Sequence, residues 1–164
     1  MNMKSYLSIA LFTFSLMSNS AAAEDERNAQ WLAIHTSETA EMTSSTTLVM
    51  SAAREIFAFS DRPNREYAHL NAHEFEMLWD GSESGGFKSS PPNAVITWPQ
   101  GGEMNEAEVI ITNARVISNG REIELSIELL EGSIPSGVEL QNVSLFVDDF
   151  INIHYNPSCL FMCK

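Results

Sequence analysis

Two cysteines, Cys159 and Cys163, stand at the end of the chain, with Met162 between them and His154 just upstream. Thiolate, thioether and imidazole are soft ligands that suit Cu(I), so this set is a metal candidate. Outside a reducing compartment the same two cysteines default to a disulfide. Asn156-Pro157-Ser158 favours a turn just before them. Off helical geometry, their Cβ atoms can approach the roughly 3.8 Å that an S–S bond needs. Closing so short a loop removes little chain entropy, which makes the bond a local staple. The disulfide needs fewer assumptions than copper, and the sequence leaves both open.

The other basic and aromatic candidates lie mid-chain. Asp61, Arg62 and Arg65 form the one basic cluster of an acidic sequence. Guanidinium forks match carboxylate or phosphate, so Arg62 and Arg65 suit an anion clamp. The plainer account is a turn in which Asp61 caps backbone amides. His69 and His73 have the i, i+4 spacing that holds zinc on one helix face. Asn71, however, is placed to cap a helix between them, which leaves His69 outside it. His73-Glu74 opens like a zinc-protease motif, but Met77 stands where the second histidine belongs. The ligand-binding candidates are therefore Asp61, Arg62, Arg65, His73 and Trp79, with no metal or cofactor implied there.

No residue is singled out as catalytic. Asp80-Gly81-Ser82-Glu83 is no nucleophile elbow, and Gly101-Gly102 lacks the lysine and helix of a phosphate loop. Glu122 and Glu124 face solvent on a strand, where nothing raises one carboxyl for acid catalysis. A periplasmic hydrolase would need a site assembled from scattered residues.

The elements that must carry these side chains are mostly strands. Asn119-Gly120 marks a two-residue hairpin turn needing positive φ at both centres. Pairing Ser118 with Arg121 sets Ile110, Thr112, Ala114 and Val116 opposite Leu129, Ile127, Leu125 and Ile123 on an apolar face. Arg115 then meets Glu124 on the polar face. Trp31 to Ile34 and Leu48 to Met50 read as two strands joined by a polar connection from Thr36 to Thr47. Glu55 to Phe59 reads as a buried strand stopped by the turn from Ser60 to Arg65. Ala94 to Trp98 and Val143 to Val147 are further strands. One helix follows Asn71, with Glu74 in its first turn and Phe75, Leu78 and Trp79 on one face, ending at Asp80-Gly81. Ser82 to Asn93 is a long loop. The expected fold is mainly β: an antiparallel β-sandwich or open barrel with one short helix.

The run Phe57-Ala58-Phe59-Ser60-Asp61-Arg62-Pro63, then Phe75 and Trp79, then Phe87 and Pro91-Pro92-Asn93-Ala94, resembles a group of small secreted bacterial proteins. In that group an aromatic-Ser/Thr-Asp-Arg-Pro motif precedes an E-F helix and a P-P-N-A strand entry. The resemblance covers about residues 56 to 98. It implies a shared secreted domain and carries no activity, ligand or catalytic residue with it.

The start of the chain points outward as well. Lys4 is the sole charge before an apolar run from Tyr6 to Met17, followed by Ala21-Ala22-Ala23. These are the three parts of a signal peptide, and the run is too short for the ~20 residues of a membrane span. Residues 1–23 are thus expected to be removed, leaving 24–164 as a single β-rich domain with a Cys-containing C-terminal tail, periplasmic or secreted. The net charge of −13 repels nucleic acid and anionic lipid. The expected function is a non-enzymatic exported domain that binds a protein or small ligand through the region from Ser60 to Pro92, since loops on a rigid scaffold carry function. The alternatives are the hydrolase and a copper-handling protein. Mass spectrometry of the exported protein is expected to find its terminus within one residue of Glu24; an intact Met1 would refute the signal peptide.

Overall fold

A computed structural model describes residues 30–62, 65–81 and 86–148. The signal-peptide segment and the set His154, Cys159, Met162 and Cys163 lie outside the described residues. The described chain is mainly β and antiparallel, as expected from its alternating patterns. Its strands are β1 (Trp31–Ser44), β2 (Thr47–Ser51), β3 (Ile56–Ser60), β4 (Tyr67–Leu70), β5 (Asn93–Gln100), β6 (Glu103–Ile117), β7 (Glu122–Gly132) and β8 (Glu139–Val147). They lie in the order β2-β7-β6-β5-β8-β1-β3-β4, and β2 also pairs with β1. That last pairing closes six strands into a barrel. β3 and β4 continue beyond β1 as a ribbon outside the ring.

Closure depends on the length of β1. The polar stretch from Thr36 to Thr47 is mostly strand, not a connection, and only Ser45 and Thr46 make the turn into β2. Trp31, Ala33, His35 and Ser37 are buried with Thr36 and Glu38 facing out, and past Thr39 the phase changes by one residue, so that Ala40 and Met42 are buried and Glu41 faces out. Inside, Leu48, Met50, Ile96, Trp98, Val109, Ile111, Ile123, Leu125, Val143 and Leu145 fill the core.

The hairpin is correct near its turn and shifted beyond it. Val116 pairs with Ile123, Arg115 with Glu124 and Ala114 with Leu125. Arg115 donates to Glu124 across the strands at 2.6 Å. The turn is wider than two residues: the last pair is Ile117 with Glu122, and Ser118, Asn119 and Gly120 all have positive φ. A bulge at Thr112 then moves the register, so Ile111, not Thr112, meets Ile127. Ile111 and Val109 consequently face the core in place of Ile110, and Leu129 is left exposed. A second shift follows Glu108, and the ladder ends with Gly132 opposite Ala107. At φ 84° Gly132 sits where a Cβ would stand 2.7 Å from the Glu106 carbonyl oxygen.

One short helix, α1 (Ala72–Glu76), runs into a 3-10 turn (Met77–Trp79). Asn71 caps it by accepting from the amides of His73 and Glu74, and Glu74 reciprocates on the Asn71 amide at 2.8 Å. The helix lies against β6, where Phe75 and Trp79 are buried.

The bulge is testable by deletion of side chains. Ile111→Ala is expected to cost ~2–5 kcal/mol in denaturant unfolding and Ile110→Ala about 1 kcal/mol. Equal losses at the two positions would place the bulge elsewhere.

Candidate functional site

The ribbon β3–β4 has two unlike faces. Ile56, Ala58 and Ser60 on β3 and Ala68 and Leu70 on β4 are buried. The opposite face carries Phe57 and Phe59 from β3 with Tyr67 and His69 from β4. Phe59 pairs across the strands with Tyr67, and Phe57 with His69. The Phe57 ring centroid lies 5.8 Å from Phe59, 6.2 Å from Tyr67 and 5.2 Å from His69. Phe57 is 38% and Tyr67 71% exposed, so an aromatic cluster stands in solvent. Aromatic pairs at such distances are worth ~0.5–1.5 kcal/mol beyond area burial, which holds the cluster in shape without covering it.

A turn at the end of the ribbon adds charge. Asp61 accepts from the Gln30 amide at 3.2 Å, and its own amide donates to the Gln30 carbonyl at 2.9 Å. Ser60 is buried, and its hydroxyl accepts from the Glu66 amide at 2.8 Å. Arg65 adopts φ 53°, and its amide donates to the Asp61 carbonyl. These bonds present Arg65 beside the rings. Phe57, Phe59, Ser60, Arg65, Glu66 and Tyr67 line a shallow cleft of about 380 Å³. Neither Arg62 nor Arg65 makes an ion pair among the described residues.

The apolar surface continues past the ribbon. Leu32 on β1 lies opposite Phe59, Ile34 opposite Phe57, and Phe146 on β8 opposite Ile34. Leu32, Phe146, Val95 and Leu130 form the apolar part of a second groove of about 340 Å³, with Glu108 and Asp148 also lining it. A contiguous apolar patch on the outside of a barrel is the kind of surface that marks an interaction site.

The five candidates from the sequence separate in space. Asp61, Arg62 and Arg65 share the ribbon's turn. His73 lies on α1, past the far end of β4, with its ring 3.3 Å from Glu76. The four residues of β4 stand between them, a span of roughly 13 Å. Asp61, Arg62 and His73 therefore do not meet in one cleft. Trp79 is in the core, where its indole N–H donates to the Ile111 carbonyl at 3.1 Å between the rings of Phe75 and Phe87. His69 lies on β4, outside the helix, 3.4 Å from Glu55. Among the described residues no three of His, Cys, Asp and Glu converge to hold a metal, and no helix is long and apolar enough to cross a membrane.

The exposed rings are not legible in the sequence, where Glu55 to Phe59 reads as a buried strand. The signal it does carry is that a strand apolar on both faces needs a cover for each, and the barrel supplies one. His35 and Ser37 were missed too, since β1 was ended at Ile34. No protein-family model matches the chain, and no curated protein or solved structure matches it either.

The two kinds of aromatic position are expected to separate cleanly in thermal or denaturant unfolding. Trp79→Phe leaves the Ile111 carbonyl unpaired in the core and should cost ~1–3 kcal/mol. Tyr67→Ser, at the surface, should stay within about 0.5 kcal/mol. A large loss at Tyr67 would mean that the ring is part of the fold and not a free surface.

Proposed function

We propose that this is an exported, non-enzymatic binding domain that takes a protein or small ligand on the outer face of the β3–β4 ribbon. The exposed Phe57–Tyr67 aromatic cluster carries the reading, because large rings in contact with one another stay in water only at a cost. Arg65 at the edge of the cleft adds a direction to the ligand chemistry. A ring or apolar group stacks on Phe57 and Tyr67, and a carboxylate pairs with the guanidinium. The ribbon is held by a closed barrel, so the face is formed before the ligand arrives. The acidic remainder of the surface excludes anionic polymers while tolerating one localised cation site.

Export remains part of the proposal and rests on the sequence of residues 1–23. The hydrolase alternative has less support, because its three candidate side chains lie apart. The copper alternative rests wholly on residues 154 to 163, outside the described chain.

Titration of 15N-labelled protein with a panel of aromatic carboxylates and short acidic aromatic peptides tests the reading. Amide shifts are expected at Phe57, Phe59, Arg65 and Tyr67. Phe57→Ser and Arg65→Ser should each weaken binding by about tenfold or more. Shifts confined to the groove at Leu32 and Phe146 would move the site, and no shifts with any probe would remove the proposal.

A further inference from the structure

β1 changes partner along one of its edges. Trp31 to Ile34 pair with β3, and Ala40 to Ser44 pair with β2. Between them, His35 to Thr39 have no strand on that side, because the chain leaves β1 after Ser51 to follow β7. Ser51 pairs with Glu122, and the Ala52 amide donates to the Arg121 carbonyl at 2.8 Å. Two side chains close the gap that the missing ladder leaves. His35 Nε2 donates to the Ser51 carbonyl at 3.0 Å, and the Ser37 hydroxyl sits between two carbonyls, 2.6 Å from that of Thr39 and 3.0 Å from that of Ser51.

Nε2 as donor leaves Nδ1 as a bare acceptor, and Nδ1 is buried with no partner. On the inner face Ala33 precedes His35 and Ser37 follows it, Leu145 is its pair on β8, and the buried side chains of β2, β3 and β7 are apolar except for Ser60. None of the charged groups of the same elements is buried: Glu38 and Glu41 on β1, Arg54 and Glu55 in the connection, Glu139 on β8, and Glu128 and Glu131 on β7 are exposed, and Glu122 and Glu124 on β7 are half-buried. Glu38 pairs with Arg54 and Glu55 with His69, both out in solvent. β2 and β3 carry no charge. Burial accordingly pushes the imidazole below its ordinary value of 6.5, against the opposing pull of the Ser51 carbonyl.

We propose that the His35–Ser37–Ser51 junction is an acid-released latch: protonation of His35 loosens the seam between β1 and β3 and frees the aromatic ribbon, while the six-strand barrel stays closed. A second N–H at Nδ1 has no acceptor inside the barrel, so imidazolium is relieved only by reaching water. The weakest exit is through the ribbon. β3 and β2 each hold β1 by four pairs and β8 holds it by eight, but β2 is also tied to β1 by the short turn at Ser45-Thr46 and to β7 by five pairs, whereas β3 has only the edge strand β4 beyond it. The native state favours the neutral ring, so the latch is full above the ordinary value and fails as pH falls below it. The consequence for ligand binding rests on the ribbon being the binding face; the opening of the seam does not.

Amide hydrogen exchange of the full exported chain, compared at about pH 7.5 and about pH 5 after correction for intrinsic rates, tests the latch. The amides of Trp31 to Ile34 and Phe57 to Ser60 are expected to lose roughly tenfold in protection at the lower pH relative to the β6–β7 ladder. His35→Gln keeps a donor for Ser51 and cannot titrate, so its ribbon should show no such change. His69 and His73 remain in both proteins and serve as the internal control. An unchanged ribbon in the parent protein, or the same acid response in His35→Gln, overturns the proposal. Should the variant not fold, imidazole 15N shifts of the parent decide: His35 must stay neutral until the ribbon amides open, and early protonation with an intact ladder overturns it. A ribbon that opens with no effect on ligand would sink the binding reading and leave the latch standing.

Discussion

A six-stranded ring closes only where its terminal strands meet, and here that meeting falls on β1, which must also hold the ribbon. One edge of β1 is given wholly to β8. The other is divided between β3 and β2, two strands that follow each other in sequence and run the same way along it. The chain between them cannot pair with β1 and close the ring onto β7 at once. It follows β7, and in the resulting gap side chains stand where ladder bonds would run. Among the described residues His35 and Ser37 are two of the three buried polar ones, and both are used there. A buried polar group is tolerated where it is bonded, and the Ser51 and Thr39 carbonyls supply the partners.

The division of β1 also explains why the ribbon has an exposed aromatic face. Inward side chains of β3 add to the core that β1 already borders, so Ile56 and Ala58 are covered by the barrel. Among the described residues no strand packs over the other side of the ribbon, where Phe57, Phe59, Tyr67 and His69 contact one another beside Leu32 and Ile34 of β1. The turn that carries Arg65 is tied to Gln30 at the start of β1, which fixes the charged end of the cleft to the same strand that supports its rings. Scaffold and candidate site thus share one strand.

Local chemistry was legible where one element decided it. The Asn71 cap, the apolar face of Phe75 and Trp79, and the pairs from Val116 to Ala114 all follow from short-range pattern. What failed needed information from across the sheet. Thr36 to Thr47 looks like a polar loop until both faces of a barrel wall are counted, because its outward residues are polar and only Ala40 and Met42 among its inward ones are apolar. The bulge at Thr112 inserts one residue without a mark in the local alternation, so Ile110 and Ile111 exchange roles unseen. Trp79 read as a binding residue because an aromatic near a long loop is ambiguous until its N–H partner, the Ile111 carbonyl, is located. His35 carries no motif at all. Its position gains meaning only from a neighbour that is missing, and absent neighbours leave no trace in one dimension.

β4 ends the sheet, and its outer row of amides and carbonyls has no strand beside it among the described residues. Its four residues are Tyr67, Ala68, His69 and Leu70, with neither the lysine nor the proline by which exposed edges are commonly blunted. What keeps such molecules apart is then long-range: the charge of −13 makes every copy repel every other. That protection is borrowed from carboxylates, and strong acid removes it. A sheet edge that is harmless in dilute neutral solution becomes, in acid, a template for the next molecule.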